Sequence, residues 1–157
     1  MQQIIIQVFM AMLGVIGFSI MLNIHGYKVF IITVGGAVCW IAYIIIFNIS
    51  NDKMISYFIT TVIMAAISEV LARICKTPVI LLLVPMIVPL IPGSDLYYMM
   101  FHLILGNAED GRTFGYLLAK EAGAIGFGII IVTTVTQIIL VIHKNVKEWL
   151  MIKCESK

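Results

Sequence analysis

Pro78-Val-Ile-Leu-Leu-Leu-Val-Pro85-Met-Ile-Val-Pro89-Leu-Ile-Pro92-Gly93-Ser94 is apolar enough to lie in a bilayer, yet it holds all four prolines of the chain and ends in a glycine. A proline inside a helix removes one N–H donor and crowds the carbonyl four residues back. Pro85, Pro89 and Pro92 therefore threaten the helical bonds of the Leu81, Pro85 and Val88 carbonyls. At about 100° per residue, the four prolines fall within roughly a 60° arc of a helix. The freed carbonyls share that side, and in hydrocarbon each unsatisfied group costs several kcal/mol. That side must face protein or a wet cavity. Broken helices at membrane depth are where many transporters hold their solutes. Pro85, Pro89, Pro92, Gly93 and Ser94 are accordingly the first candidates for a solute pathway.

Working outward, the composition leaves little room for anything but a membrane protein. Of 157 residues, 62% are hydrophobic and 11% charged, against about 25% charged in an ordinary soluble domain. Three runs are free of charge and long enough to span alone: residues 4–22, 29–47 and 122–142. A fourth, 54–72, is as long but contains Glu69. Each makes a helix of roughly 30 Å, the thickness of the hydrocarbon core. The proline run is too short to cross by itself, but continued through Leu105 it becomes long enough as a discontinuous span, 78–105. The expected fold is all-α: one polytopic membrane helix bundle over residues 1–157, with about five transmembrane helices and a Pro-broken fourth.

Other classes receive no support. Met1-Gln2-Gln3 carries no positive charge, and the run behind it is too long for a signal-peptide core, so it is expected to remain as the first helix. Cys39, Cys75 and Cys154 lack CxxC spacing or a histidine partner pattern, so neither a disulfide framework nor a metal or other cofactor is expected. A net charge of +2 spread over loops gives no nucleic-acid footprint.

Basic residues choose between topologies. With five crossings, Lys28, Arg73, Lys76, Lys144, Lys147, Lys153 and Lys157 share one side, and Lys53, Arg112 and Lys120 share the other. A re-entrant fourth segment would even the two sides. The positive-inside rule favours five crossings, with the N-terminus outside the cell membrane and the C-terminus in the cytoplasm.

Small residues repeat along the spans: Ala11, Gly14 and Gly17; Gly35, Gly36 and Ala37; Ala65, Ser68 and Ala72; and Gly115, Ala119 and Gly123 with Gly126 and Gly128 beyond them. They let helix backbones approach closely, within one bundle or against another subunit. Thr133, Thr134, Thr136 and Gln137 are expected to add contacts between helices. Glu69 has Arg73 at i+4, the favourable order for an ion pair. It is either an interfacial pair with Arg73 reaching toward the headgroups or an acid facing the pathway. Lys120 and Glu121 stand at the mouth of the last span and read as interfacial. Past the break, Ser94 is expected to cap a helix beginning at Asp95. Asp95, Tyr98 and His102 then share one face, either lining a polar vestibule or forming the wet side of an interfacial half-helix.

The order Val84-Pro85-x₃-Pro89-Leu90-Ile91-Pro92-Gly93-Ser94-x-Leu96-Tyr97, preceded by a charged turn and three helices, resembles the threonine/serine exporter family. It is most similar to the small membrane subunit of the split, two-chain form. The likeness in layout covers nearly the whole chain, and its specific part is Pro85–Tyr97. The resemblance implies efflux of small hydroxylated amino acids, or of small dicarboxylates in some relatives, driven by the proton gradient. It also implies a second exporter subunit, since single-chain members carry about twice as many spans. A homo-oligomer is the other arrangement the small-residue faces would accommodate. Family residues carry over only at Pro85, Pro89, Pro92, Gly93 and Ser94.

Two rival classes remain to be weighed. A hydrolase built on Ser94, Asp95 and His102 lacks a G-x-S-x-G elbow, and the serine and histidine lie about two helical turns apart. No H-E-x-x-H pair is present either, so the chain is not expected to be an enzyme. A non-transporting assembly or regulatory subunit is the stronger rival. Its signature would be a fourth segment covered by protein, with no polar cavity at the break.

Overall fold

A computed structural model describes the backbone of residues 2–155 and the side chains of residues 2–142. Helix α1 spans Gln2–Met21, α2 Tyr27–Ser50, α3 Lys53–Ile74 and α4 Val79–Ile87. A 3-10 turn over Val88–Leu90 follows, then α5 over Gly93–Ile104 and α6 over Ala108–Glu155. The chain is an all-α membrane helix bundle, as its composition leads one to expect. Four of its helices are long and apolar enough to cross a membrane, or five spans result if α4 and α5 count as one bent span. Lys144, Lys147, Lys153, Lys157 and Cys154 lie outside the residues whose side chains are described.

Short turns make sequence neighbours antiparallel. Gly26 at φ 74° and Gly106 at φ 78° supply left-handed backbone that only glycine adopts without strain. Asn51, at φ 52°, ends α2 by returning its N–H to the Phe47 carbonyl at 2.9 Å. The next residue opens α3, where Asp52 accepts from the Ile55 N–H at 3.2 Å, an aspartate N-cap. Lys76, at φ 48°, ends the α3 turn, and the Thr77 N–H reaches back to the Ala72 carbonyl at 3.0 Å.

The core lies where α2, α3 and α4 meet, and α1 closes it on one side. Val15, Ile32, Cys39, Met64, Leu82, Met86 and Leu90 are buried there. Two of the expected small-residue contacts are in this core. A Cβ on Gly36 would collide with Val15 of α1, and one on Gly35 would lie 2.7–3.0 Å from the end of Met86. A Cβ on Gly128 would lie 3.1 Å from Thr61, joining α6 to α3, and Gly111 packs on Leu103 between α5 and α6. A Cβ on Gly14, Gly17, Gly123 or Gly126 would meet no other helix within 4 Å among the described residues.

Three buried hydroxyls bond within their own helices. Ser19 donates to the Val15 carbonyl at 2.7 Å, Thr33 to Val29 at 2.8 Å and Thr61 to Tyr57 at 2.7 Å. Without water, an i−4 carbonyl is the nearest acceptor available to a hydroxyl in a span. Thr133 does the same with the Ile129 carbonyl at 2.9 Å, rather than linking helices as expected from its position.

The segment between the fourth and last spans is not a loop. α6 begins at Ala108 and continues for 48 residues, about 72 Å at 1.5 Å per residue. Its first turns stay helical because they gain a partner: Phe114 stacks on Tyr98 with centroids 5.4 Å apart, and Gly115 lets Met99 approach.

Candidate functional site

The proline array produces a break narrower than its span in sequence. α4 runs through Pro85 to Ile87, and helical geometry is lost only over Val88–Pro92, where α4 and α5 meet at 59°. Pro85 and Pro92 are buried and Pro89 half-buried, so these three face protein, while Pro78, at the start of α4, is exposed. Two carbonyls expected to be free are taken. The Val88 N–H bonds to the Pro85 carbonyl, and the Ile91 N–H to Val88 at 3.1 Å. Tightening from i→i+4 to i→i+3 bonds recovers acceptors that proline would otherwise orphan. Beside the break lies a cavity of about 260 Å³ lined by Gln7, Met10, Ala11, Trp40 and Pro89, almost wholly apolar.

One local expectation is corrected here. Ser94 is not the helix cap: α5 starts at Gly93 behind Pro92, with no side-chain cap bond, and Ser94 is exposed within its first turn. Gly93 is not in a glycine-only conformation, and a Cβ there would meet nothing within 4 Å. Pro92, whose φ is fixed near −65° by its ring, makes the corner instead, at φ −74° and ψ 63°.

One turn into α5, the polar chemistry gathers. Asp95 is 4% exposed, and it meets Lys53, the first residue of α3. The Lys53 Nζ donates to the two Asp95 carboxylate oxygens at 3.1 and 3.5 Å. It lies 3.6 Å from Oε1 of Glu121 on α6. Glu121 is 2% exposed, and neither of its oxygens has a hydrogen-bond partner. Around the trio stand Tyr43 and Tyr57, with ring centroids 4.8 Å apart and both within electrostatic reach of Asp95 and Glu121. A cavity of about 290 Å³ opens from this cluster, lined by Asn51, Asp52, Lys53, Leu117, Lys120 and Glu121. That volume is roughly ten waters' share of the liquid, enough for a small solute. Two buried carboxylates face one half-exposed ammonium, so the trio carries a surplus negative charge.

Sequence reading set these three residues apart only loosely, counting Lys53 among loop charges and Glu121 as interfacial. Lys53 and Asp95 each sit in the first turn of a helix, whereas Glu121 lies more than three turns into α6. Of the other members of the α5 stripe, Tyr98 stacks on Phe114, as does His102 at 5.4 Å. His102 also approaches Asp110 at 3.7 Å. The stripe therefore divides between the charged cluster and the α5–α6 contact.

Glu69 lies elsewhere. Ser68 turns toward α4 and contacts the Met86 sulfur at 3.5 Å. Glu69, about 100° further round the helix, turns toward α6. It pairs with Arg73 at 3.6 Å and borders a cavity of about 410 Å³ with Thr136 and Ile139. From Lys53 it is about 24 Å along α3. The break residues and Glu69 are thus on different sides of α3. Among the described residues, no group of three or more His, Cys, Asp or Glu side chains could hold a metal ion.

A family model described as Threonine/Serine exporter, ThrE, matches residues 7–135, which takes in α1 through most of α6, including the break and the charged cluster. No curated protein and no solved structure matches significantly.

Proposed function

The chain belongs to the threonine/serine exporter family, and from that premise we propose that it is a membrane subunit of a secondary exporter. Exporter-type membrane transport is the family's activity. The solute in this reading is a small hydroxylated amino acid such as threonine or serine, or a small dicarboxylate, and its export is driven by the proton gradient. The observation that carries it is the cavity between the α2–α3 turn and α6, beside which a chain built for lipid buries two carboxylates against one lysine. Ionisable groups inside membrane bundles mark solute and ion pathways.

The proposed pathway runs past Pro85, Pro89, Pro92, Gly93 and Ser94 to that cavity, with Glu69 at the far end of α3 as a second acidic station. Five crossings are supported by the pairing of Asp95 with Lys53. By Asp95 the chain has travelled from the level of the α3 C-terminus to that of its N-terminus. The basic residues then place the N-terminus outside the cell membrane and the C-terminus in the cytoplasm. A partner is supported by the open faces at Gly14, Gly17, Gly123 and Gly126, which suit close packing against a second exporter subunit or another copy of the chain.

A second reading, a non-transporting assembly or regulatory subunit, is favoured by one observation: the cavity touching Pro89 is apolar and the nearby carbonyls are satisfied within the chain. Efflux separates the two. Cells loaded with labelled serine, threonine and dicarboxylates, with and without this gene and a neighbouring membrane gene, should retain the solute when this chain is missing. Unchanged efflux on its deletion sinks the exporter reading.

A further inference from the structure

We propose that the pocket between the α1–α2 turn and the start of α4 holds the phosphate of an anionic phospholipid headgroup. The proposal goes beyond the exporter reading and needs only that the chain span a membrane. A cavity of about 240 Å³ lies at that end of the bundle, and its lining includes Asn23, His25, Lys28, Thr77, Leu81 and Leu82. The volume is about eight waters' share of the liquid, room for a headgroup without its acyl chains. Lys28, partly exposed, brings the fixed charge. No carboxylate lines the space, and Lys28 has no ion pair among the described residues. The His25 Nδ1 donates to the Asn23 carbonyl at 2.8 Å, so the neutral ring keeps only an acceptor at Nε2. Recognition of an anion therefore falls to Lys28 and the backbone beside it.

On local grounds the lysine is misplaced. Lys28 is the second residue of α2, a helix of 24 residues with no acid in its first turn and no side-chain cap. A cation there adds to the positive end of the helix dipole, where an anion is favoured. The N–H groups of His25, Gly26, Tyr27 and Lys28 also find no acceptor among the described residues. An anion in the cavity relieves both conditions. Its source follows from the surroundings. α1 ends, α2 begins, α3 ends and α4 begins at this level of the bundle, which puts the pocket at the headgroup layer of spans about 30 Å long. Met21, Ile74 and Ile80, at the same ends of α1, α3 and α4, are exposed and give acyl chains an apolar surface beside the pocket. A basic pocket between spans at that level suits an acidic lipid. The ammonium of a zwitterionic lipid would find no acid in the lining.

Native mass spectrometry of the full chain tests this, with the protein purified in mild detergent and supplied with dioleoylphosphatidylglycerol or dioleoylphosphatidylcholine. Phosphatidylglycerol should stay bound to the wild-type chain under conditions that strip phosphatidylcholine. Lys28→Gln should weaken that retention about fivefold, the share of one lysine at an anionic lipid surface. Lys76→Gln removes the same charge at the same end of the bundle but outside the pocket, and should leave retention near the wild-type level. Inorganic phosphate in excess should not displace the lipid. Equal retention of the two lipids by the wild-type chain, or a loss in Lys28→Gln no larger than in Lys76→Gln, means a diffuse basic surface and overturns the inference. Displacement by inorganic phosphate means a site for free anions and overturns the lipid assignment. The exporter reading stands or falls separately, on efflux.

Discussion

Helix α3 carries a charged cluster at each end, and the two are built on opposite terms. At the C-terminal end Glu69 and Arg73 form a one-to-one pair within a single helix, and the Arg73 side chain is 50% exposed. At the N-terminal end Lys53 serves two carboxylates from two other helices, both nearly inaccessible. The first arrangement is local, balanced and wet. The second joins distant parts of the chain and leaves one acid unsatisfied. Balanced surface pairs contribute little to stability. An unbalanced buried cluster is costly unless something completes it.

Lys53→Met should give the largest effect, because it leaves Asp95 and Glu121 buried together without a cation. The loss should be about 2–4 kcal/mol, toward the lower part of the range for broken buried pairs because Lys53 itself is half-exposed. Thermal unfolding in detergent would read it. Acidification should restore part of the loss, since a proton on either carboxyl removes the surplus charge. A neutral outcome would erase the contrast between the ends. Arg73→Ala should cost less than about 1 kcal/mol in the same assay, and a larger cost would make the two clusters alike. Gly93→Val should do least, within about 0.5 kcal/mol, as for other substitutions away from packed features. It adds a side chain two residues from Asp95 in open space and so checks that the α5 turn tolerates change where the charges do not.

Much of this fold is legible in the sequence. The apolar runs give α1, α2, α3 and the later part of α6, and the prolines locate the corner between α4 and α5. Gly35, Gly36 and Gly128 announce close helix contacts that the bundle makes. Less visible is anything that depends on which helices meet. Lys53, Asp95 and Glu121 lie far apart in the chain, and no spacing rule joins them until α3, α5 and α6 are packed. The repair of the Pro85 and Val88 carbonyls was hidden for a different reason. An i→i+4 accounting marks them as orphans, whereas a single 3-10 turn satisfies both without help from solvent. The continuity of α6 was hidden because its polar opening turns resemble a loop until Phe114 finds Tyr98 and His102.

The length of α6 has a mechanical meaning. Gly115, Gly123, Gly126 and Gly128 all lie within it without interrupting the helix, so Glu121 and the residues beside Glu69 belong to one rod. A pivot of about 10° at Glu121 would carry Ile139, about 27 Å along the axis, sideways by about 5 Å. The space shared by Glu69, Thr136 and Ile139 would widen or narrow with that swing. A tilt set at Glu121 is therefore felt, enlarged, at the opposite end of the bundle.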